Sequence, residues 1–302
     1  MSETVKKKAG YVGVVGLPNV GKSTLVNHLT RAKVCITSNK PQTTRKNILG
    51  VLTRDQSQFV FVDTPGFIQA EKGLNSFLES EWKKVVEDVD TLVFVFAVDS
   101  KKESFQRTLD MMDSIGNDKV AMITKTDLGH PEREMIIEGE LRKRNIRFFK
   151  ARRKGKSESL QVTDGFLDYL EAEMPEVEEF YYDEEIYTTQ TLRELSTEIV
   201  LENVFRYLSD ELPYETGVQV IDFQELPNIY KIYAEIIVSR ERYKKIIVGK
   251  NGDTIKRIGT LSRKSLELEF GMKVFLDLRV KLKEGWNKNN KSLKELGYAE
   301  KR

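Results

Sequence analysis

The chain has 302 residues, which is more than one ordinary globular core holds and enough for two domains. Charged residues make up 32% and hydrophobic residues 39%, and the 49 basic and 47 acidic side chains leave a net charge of only +2. The longest purely apolar run, at 92–98, has 7 residues, whereas a membrane-spanning helix needs about 20. We therefore exclude a transmembrane protein, and we expect no secretory signal because the first residues are charged rather than apolar.

Cysteine and histidine are scarce in this sequence. A single cysteine, Cys35, excludes an intramolecular disulfide framework and a cysteine-based zinc site. The two histidines, His28 and His130, are too few for a His-rich metal centre, and we interpret both as ordinary helix or loop residues. This composition favours an intracellular, reducing compartment.

Short β-rich runs alternate with helical patterns in the first half of the chain. Strands are predicted at 11–15, 58–62, 91–98, 119–123 and 146–149, and helices at 22–30, 73–88, 102–115, 132–143 and 160–172. Such alternation implies parallel strands that are joined by crossover helices. We therefore predict an α/β domain with a doubly wound, mostly parallel sheet.

A second region follows the acidic stretch 175–188, which we interpret as an exposed linker. The pattern there predicts, in order, a helix at 189–209, strands at 217–225 and 229–238, helices at 241–248 and 252–269, a strand at 273–282 and a short helix near 288–296. Strands and helices are grouped rather than alternating, and this grouping is typical of an α+β domain. We therefore predict a second domain of αββααβ order.

The small net charge hides a strong asymmetry. Residues 176–239 hold 3 basic and 15 acidic side chains, a net charge of −12, whereas residues 240–302 hold 18 and 8, a net charge of +10. Aromatic residues are interleaved with the basic ones at Tyr243, Phe270, Phe275, Trp286 and Tyr298. A basic segment of this kind suggests a polyanionic partner.

A phosphate-loop pattern occupies residues 16–23, between a predicted strand and a predicted helix. Its glycines let backbone N–H groups surround phosphate oxygens at a helix N-terminus, whose dipole favours anions. Lys22 would reach the β- and γ-phosphates, and the Ser23 hydroxyl would ligate Mg²⁺. The other residues of this loop that we place in the nucleotide site are Gly16, Pro18, Asn19, Val20, Gly21 and Thr24.

A second motif, Asp63-Thr-Pro-Gly66, comes directly after a predicted apolar strand. The Asp63 carboxylate suits a contact with Mg²⁺, and Gly66 offers an N–H group where a γ-phosphate would lie. Asp-x-x-Gly alone is a common turn, but about 40 residues after a phosphate loop it indicates the same nucleotide site.

Base selection departs from the usual pattern. Thr124-Lys125-Thr-Asp127 stands where guanine-binding proteins of this class have Asn-Lys-x-Asp. Asp127 could accept the N1 and N2 hydrogens of guanine, which adenine cannot offer, and the stem of Lys125 could stack along the ring. Lys150-Ala151 replaces the usual Ser-Ala, so the Ala151 N–H could still meet guanine O6 although the supporting hydroxyl is missing. Two interpretations stay open, a working guanine site with altered motifs and a weakened nucleotide selection.

The motifs together make a specific resemblance. Gly-x-Pro-Asn-x-Gly-Lys-Ser-Thr, then Pro-Gln-Thr-Thr-Arg at 41–45 and Asp-Thr-Pro-Gly at 63–66, resemble the Era branch of the translation-factor-related GTPases. Residues 246–259 are similar to the Gly-x-x-Gly segment of a type II KH RNA-binding domain, and 274–298 resembles the end of Era proteins. We accordingly predict an Era-type GTPase domain at 9–174, the linker at 175–188, a KH domain at 189–284 and a tail helix at 285–302.

The resemblance implies a P-loop GTPase that binds GTP and GDP with Mg²⁺ and assists assembly of the small ribosomal subunit. Its KH domain would recognise small-subunit ribosomal RNA near the 3′ end. Thr44 matches the switch residue that closes over Mg²⁺ and the γ-phosphate, with Thr43 as the alternative. Lys22, Thr44 and Gly66 would thus be the catalytic residues. The resemblance also implies a cytoplasmic protein, with peripheral inner-membrane contact as a further feature, and we expect a monomer.

The mechanism of hydrolysis cannot follow Ras, which places a water-orienting glutamine after Asp-x-x-Gly. Phe67 occupies that position and cannot hydrogen-bond a water, so we interpret it as a packing residue. Asn19 matches the phosphate-loop asparagine that ligates potassium in related GTPases, which makes K⁺ a second candidate cofactor. We expect slow hydrolysis that is controlled by the RNA or ribosome partner.

The RNA site is predicted at a turn between two helices, where backbone can approach a nucleic-acid strand and unstacked bases can enter a groove. Its residues are Lys244, Lys245, Gly249, Lys250, Asn251, Gly252, Lys256 and Arg257. The apolar Ile255, Ile258 and Leu261 are expected in the core.

Two other functions stay open on the sequence. A P-loop enzyme that acts on a small substrate is one, although no general base stands out. A scaffold that binds RNA without turning over GTP is the other, and the intact Lys22, Ser23 and Asp63 argue against it.

Overall fold

The computed structural model describes residues 6–37, 40, 43–67, 73–116, 118–154, 160–209 and 212–298. Positions 41 and 42, the start of the Pro-Gln-Thr-Thr-Arg motif, lie outside this set. The chain forms two compact units. The first comprises Met1–Cys35, Thr44–Ile68 and Leu78–Thr189, and the second comprises Ile36–Thr43, Gln69–Phe77 and Gln190–Arg302. Two short segments that we had placed in the GTPase domain thus group with the second unit.

The first unit is built on one large sheet. Its strands are β1 (Lys7–Val15), β2 (Ile48–Arg54), β3 (Ser57–Asp63), β4 (Thr91–Ala97), β5 (Lys119–Thr124), β6 (Phe148–Arg153), β7 (Leu160–Val162) and β8 (Glu176–Val177). The order is β2-β3-β1-β4-β5-β6-β7, and β8 pairs with β1. The β3-β1-β4-β5-β6 core is parallel, while β2 and β7 run antiparallel at its two edges.

Helices accompany this sheet as α1 (Lys22–Thr30), α2 (Gly73–Asp88), α3 (Lys102–Asp113), α4 (Pro131–Lys143) and α5 (Phe166–Glu173). Every residue of β3 and β4 is buried, as expected for central strands of a parallel sheet that is covered on both faces. The nucleotide motifs follow the carboxyl ends of β1, β3 and β5, so parallel alignment brings them to one edge of the sheet.

Two elements at the sheet edges differ from the prediction. Strand β2 was not predicted, and it pairs along its whole length with β3, where Gly50 leaves room for the Thr30 side chain. The helix predicted at 160–172 begins only at Phe166, because residues 160–162 form β7 against β6. The three residues Leu160-Gln-Val162 are too few to show a period, and the partner strand decides between helix and strand.

The acidic stretch 175–188 is more than a connector. Most of its side chains are exposed, as predicted, but β8 pairs with the start of β1. Tyr181 stacks on Tyr11 with a ring separation of 5.4 Å, and Gln58 exchanges two hydrogen bonds with the backbone of Tyr182. These contacts fix the stretch to the first unit.

The second unit has helices α6 (Leu192–Tyr207), α7 (Glu241–Val248), α8 (Asp253–Phe270) and α9 (Asn290–Glu295), and strands β9 (Thr216–Leu226), β10 (Ile229–Val238) and β11 (Val274–Leu282). The sheet order is β11-β10-β9, with β10–β11 parallel and β9–β10 antiparallel. Helix α6 begins with a capping box in which Thr191 and Glu194 satisfy each other's backbone N–H groups. This is the predicted αββααβ order.

Packing in the second unit corrects two predictions. Tyr243, Trp286 and Tyr298 are 3%, 0% and 2% exposed, so these aromatic residues belong to the core and offer no stacking surface. The Trp286 indole donates to the backbone oxygen of Glu215 over 3.1 Å, which satisfies its one polar group. Leu261, which was expected in the core, is 43% exposed. Within the part of the chain that the structure describes, no helix has the length and apolarity that crossing a bilayer requires.

Candidate nucleotide and RNA sites

The loop between β1 and α1 adopts a backbone that few side chains tolerate. Gly16 has φ +148°, and a Cβ there would lie 2.8 Å from the Val95 carbonyl oxygen. Gly21 has φ +99° where α1 begins, and Asn19 has φ +63°. Glycine supplies such conformations at little cost. The loop therefore needs both glycines for the backbone conformation that precedes the N-terminus of α1. Val20 is buried, and Pro18 and Thr24 are half-buried.

Lys22 lies inside the loop that precedes it. Its side chain is buried, and its ammonium group donates to the carbonyl oxygens of Gly16 at 3.2 Å and Leu17 at 3.0 Å. Burial lowers the pKa of Lys22 to about 8, although the charge of Asp63 opposes this shift. A nearby anion would therefore stabilise the charged form of this buried amine.

Three oxygen-bearing side chains converge beside this lysine. The Ser23 hydroxyl donates to Asp63 Oδ2 over 2.6 Å and lies 2.9 Å from Thr44 Oγ1, which in turn donates to Asp63 Oδ2 over 3.2 Å. Burial raises the pKa of Asp63, and the charge of Lys22 is the largest opposing effect. Among the described residues, none hydrogen-bonds the buried Oδ1 of Asp63. A fully buried carboxylate with a spare oxygen fits a divalent cation better than it fits a closed core.

The structure distinguishes between the two candidate switch threonines. Thr44 contributes its hydroxyl to the oxygen cluster, whereas the Thr43 hydroxyl donates to the Lys40 carbonyl oxygen over 2.8 Å. Thr44 therefore has the geometry for the role, and Thr43 has none of these contacts.

Gly66 fits tightly against the phosphate loop. A Cβ at Gly66 would lie 2.6 Å from the Pro18 nitrogen, and the next residue, Phe67, donates its N–H to the Gly16 oxygen over 3.1 Å. The Phe67 ring packs on Trp82 at 4.8 Å between centroids, which agrees with its interpretation as a packing residue.

Thr124 lies at the end of β5 and contacts the phosphate loop. Its hydroxyl donates to the Val20 carbonyl oxygen over 2.6 Å, and the Phe96 carbonyl oxygen is 3.2 Å away. Threonine thus retains one hydrogen bond between the base motif and the phosphate loop. Because threonine has no side-chain amide, it cannot offer an amide hydrogen bond to the base.

The next residues of the motif project from the sheet edge. Lys125 has φ +59°, and its ammonium group pairs with Asp99 at 2.8 Å, which extends its stem. Asp127 is exposed, and its Oδ1 accepts the backbone N–H of Arg153 over 2.9 Å. A cavity of about 780 Å³ adjoins this carboxylate, with lining residues Thr126, Asp127, Glu134, Lys150, Arg152, Arg153, Lys154, Gln161, Val162, Thr163 and Asp164.

The side chain of Lys150 lines the same cavity as Asp127, but two carboxylates of α4 hold its ammonium group. Its ammonium group lies 2.7 Å from Glu134 and 2.6 Å from Glu138 on α4, and these hydrogen bonds raise its pKa. Glu134 and Glu138 are four residues apart on α4, so both carboxylates reach the same ammonium group. Lys150 and Ala151 both stay predictions for the nucleotide site, Ala151 through its backbone N–H, because its side chain is buried.

The turn of the second unit lies between α7 and α8. Gly249, Asn251 and Gly252 have φ of +74°, +54° and +79°, and a Cβ at Gly249 would collide with Thr254 Oγ1. The side chains of Lys250 and Asn251 are exposed at its tip. A ligand backbone could therefore approach this turn closely.

Basic residues flank the turn on both helices. Lys245, Lys256 and Arg257 are exposed, and Lys244 is half-buried. Sequence reasoning missed Ile246, an apolar side chain on α7 that is 49% exposed and stands three residues before Gly249. The available signal was that consecutive residues of a helix point about 100° apart, so Ile246 and Ile247 cannot both face the core, and Ile247 is fully buried.

Comparisons with known proteins match both parts of the chain. The family model described as 50S ribosome-binding GTPase matches residues 11–125, and the KH domain model matches residues 211–287. A protein of Pseudomonas savastanoi pv. phaseolicola named GTPase Era is 36% identical over 99% of this chain and 100% of its own length. The chain belongs to the Era GTPase family. A relative from Pseudomonas entomophila, 35% identical with the same coverage, also has the name GTPase Era.

Solved Era structures have the same fold. A variant of Era from Aquifex aeolicus bound to GDP and AlF4⁻ matches with a TM-score of 0.88 at 30% identity, covering 97% of this chain and 100% of that one. Era in complex with MgGDPNP and nucleotides 1506–1542 of 16S ribosomal RNA matches with a TM-score of 0.87 and the same identity and coverage. The predicted fold class and Era family membership are confirmed, and membership implies that the chain hydrolyses GTP.

Proposed function

We propose that this chain uses GTP binding and hydrolysis to assist assembly of the small ribosomal subunit, and that its KH domain binds small-subunit ribosomal RNA near the 3′ end. The observation that carries the nucleotide part is the oxygen cluster of Ser23, Thr44 and Asp63 beside the buried Lys22. The proposal for the RNA part is supported by the exposed turn 249–252 and by the RNA complex of the similar Era protein.

The oxygen cluster fits Mg²⁺, because the cation takes hydroxyl and carboxylate oxygens and the spare Asp63 oxygen needs a partner. Ser23 and Thr44 would ligate the ion and Asp63 would hold it. Bound Mg²⁺ neutralises the charge that develops on the phosphates. Lys22 would turn from the loop carbonyl oxygens to the β- and γ-phosphates, and the Gly66 N–H would meet the γ-phosphate.

Hydrolysis in this chain lacks a side chain that orients water at position 67. The Phe67 ring packs on Trp82, so this residue has a packing role and offers no group that could orient a water. Asn19 would bring K⁺ to the phosphates, where positive charge stabilises the transition state. We expect slow turnover that a partner accelerates.

The potassium step has a direct test. Hydrolysis is measured in KCl and in NaCl at equal ionic strength, for the unchanged protein and for Asn19→Ala. We expect faster turnover in KCl and no difference in the variant. Equal rates in both salts would remove K⁺ from the mechanism.

The nucleotide assignment is tested by measuring affinity and turnover with GTP and ATP, with and without an RNA of the small-subunit 3′-terminal sequence. We expect GTP to bind far better than ATP, and Lys22→Ala to lose GTP binding while remaining folded by circular dichroism. A preference for ATP would indicate an enzyme of another class. Tight GTP binding without turnover, even with the RNA, would indicate a scaffold.

The RNA assignment needs a variant of the turn alone. Changing Lys250 and Asn251 together to Asp places two carboxylates at the exposed tip, and aspartate, like asparagine, tolerates the left-handed φ of +54° at position 251. RNA binding should weaken strongly, with a shallower salt dependence, and intrinsic GTP affinity should stay unchanged. Lys102→Asp with Gln106→Asp on the exposed side of α3 alters the net charge equally and should leave RNA binding intact. Undiminished RNA affinity in the turn variant would show that residues other than Lys250 and Asn251 bind the RNA.

The location and oligomeric state also belong to this proposal, on the family resemblance. We propose a cytoplasmic monomer that contacts the inner membrane peripherally. Light scattering tests the monomer, and cosedimentation with vesicles of anionic phospholipid tests the membrane contact. A dimer at micromolar concentration, or protein that stays in the supernatant, would contradict the respective part.

A further inference from the structure

The carboxylate of Asp127 stands on an exposed loop, yet one of its oxygens is fixed. Asp127 belongs to a single helical turn, Thr126–Leu128, and its side chain is open to solvent. Reading the N1 and N2 hydrogens of guanine requires both carboxylate oxygens in the plane of the base. A free aspartate on such a loop rotates among several rotamers, so a second donor that holds the carboxylate would reduce the entropy lost on binding.

We propose that the backbone N–H of Arg153 is this donor, and that it replaces the hydroxyl that the Ser-Ala pattern places at position 150. The inference deepens the proposed guanine site and rests on it. Arg153 N lies 2.9 Å from Asp127 Oδ1. Lys150 cannot serve, because it has no hydroxyl and its ammonium group is held by Glu134 and Glu138.

Strand pairing explains why this N–H group is available. The β5–β6 ladder ends at the pair Ile123–Lys150, so β6 continues for three residues past its neighbour. Its edge there faces the turn that bears Asp127 instead of another strand. An N–H group that points to that side meets no neighbouring strand, and the Asp127 carboxylate accepts its hydrogen bond instead.

The pairing with β7 gives the N–H group its direction. Thr163 N donates to Lys150 O, so residue 150 is a hydrogen-bonded position of the antiparallel pair β6–β7. Such positions alternate along the strand, which makes residue 152 hydrogen-bonded to β7 and turns the N–H of Arg153 away from it. Closing the hairpin through β7 thus aims the donor at Asp127.

One sequence feature and one structural feature mark this arrangement. Lysine stands at position 150, where the Ser-Ala pattern has a serine, and in the structure β6 continues after it through Ala151 to Arg153. The role belongs to the backbone of Arg153. Its side chain is exposed and is not required.

The test separates backbone from side chain. Arg153→Pro removes the N–H group without breaking a β7 hydrogen bond, and Arg153→Ala keeps it. We expect Arg153→Ala to bind GDP within about twofold of the unchanged protein, whereas Arg153→Pro should weaken GDP roughly tenfold, the loss of about one good hydrogen bond. The preference for GDP over IDP, which lacks the N2 amino group, should fall in the proline variant alone.

Rescue distinguishes positioning from general damage to the hairpin. Adding Lys150→Ser to the proline variant restores a hydroxyl beside Asp127 and should recover most of the lost affinity and base preference. Adding Lys150→Ala removes the same ion pairs without a hydroxyl and should recover neither. Equal binding by the proline and alanine variants, or equal rescue by serine and alanine, would overturn the inference.

A fold-neutral comparison covers the case in which the proline variant does not fold. In the otherwise unchanged protein, Lys150→Ser and Lys150→Ala should bind GDP within about twofold of each other, because Asp127 already has its donor. A several-fold advantage of the serine variant would show an unsupported carboxylate and overturn the inference. Absence of any preference for GDP over ADP in the unchanged protein would instead refute the proposed guanine site, and the inference with it.

Discussion

The hydroxyl of Thr124 donates to the backbone oxygen of Val20 over 2.6 Å, joining the base motif to the phosphate loop. Both residues are buried, so the hydrogen bond is shielded from water. Asparagine is the usual residue of this motif, and threonine retains one of the contacts that an amide could make. Threonine in place of asparagine therefore changes the contacts to the base more than the contact to the phosphate loop.

Removing this hydroxyl should be costly in two measurements. Thr124→Val keeps the shape of the side chain but leaves the buried Val20 oxygen without this donor, which should lower the free energy of unfolding by about 1–3 kcal/mol. GTP affinity should fall several-fold because the loop is less well held. Thr124→Ser, which keeps the hydroxyl, is the control and should stay close to the unchanged protein in urea unfolding and GTP titration. Equal stability of the valine and serine variants would show that the contact is not needed.

GTP affinity should decrease with rising pH above about 8. In the protein without nucleotide, burial lowers the pKa of Lys22 to about 8, and a bound phosphate would raise that pKa. GTP binding in alkaline solution must therefore take up a proton. The affinity should fall by up to tenfold per pH unit above about pH 8, and calorimetry in buffers of different ionisation enthalpy should show the proton uptake.

Stability supplies the control for this pH effect, because its sign is opposite. The pKa of Lys22 is lower in the folded protein than its ordinary value of 10.5, so between about 8 and 10.5 the unfolded chain binds more protons. This residue therefore makes the folded state more stable as the pH rises through that window. Lys22→Met should abolish its contribution. A GTP affinity that does not change between about pH 8 and pH 9 would mean that Lys22 stays charged in the free protein.

Asp127→Asn should shift the preference from GTP toward XTP. The amide can donate to the O2 of xanthine, where guanine has an amino group, and it no longer accepts both guanine hydrogens. Asp164→Asn, on the same cavity, removes the same charge and should leave the preference unchanged. Competition binding with the two nucleotides measures both. An unchanged preference in the Asp127 variant would place base reading elsewhere.

Gly66→Ala should impair the protein although it adds only one methyl group. The new Cβ would lie 2.6 Å from the Pro18 nitrogen, and backbone must move to relieve the clash. We expect a loss of about 1–3 kcal/mol in unfolding free energy and a strong loss of GTP turnover. Gly139→Ala on α4 meets no atom within 4 Å and should instead raise stability by up to about 1 kcal/mol. Wild-type turnover in the Gly66 variant would contradict the close approach of this loop.

Prediction from sequence succeeded where a short-range pattern decides the structure. Helices α1 and α2 have the predicted bounds, as do β10 and α7, because each combines a clear apolar period with end signals in its own residues. Strands β2 and β7 were missed although each pairs with a strand close in sequence; both are edge strands, and pairing with β3 and with β6 decides their state.

The sequence by itself determined the chemistry of the chain: a phosphate loop with Lys22 and Ser23, a carboxylate at Asp63, and a basic Gly-x-x-Gly turn in the second unit. The motif spacing and the resemblance to Era proteins carried the prediction of the family. These features are local, because each depends on residue types and on the strand or helix next to them.

Only the tertiary structure decided which side chains meet. It turned Lys150 to the carboxylates of α4, selected Thr44 over Thr43 for the oxygen cluster, and gave Asp127 a donor from the backbone of Arg153. It also buried Trp286, which the sequence had suggested as part of a polyanion-binding segment. The reason is that such pairings depend on strand register and on competition among neighbouring charges, and both are set by chain segments far apart in sequence.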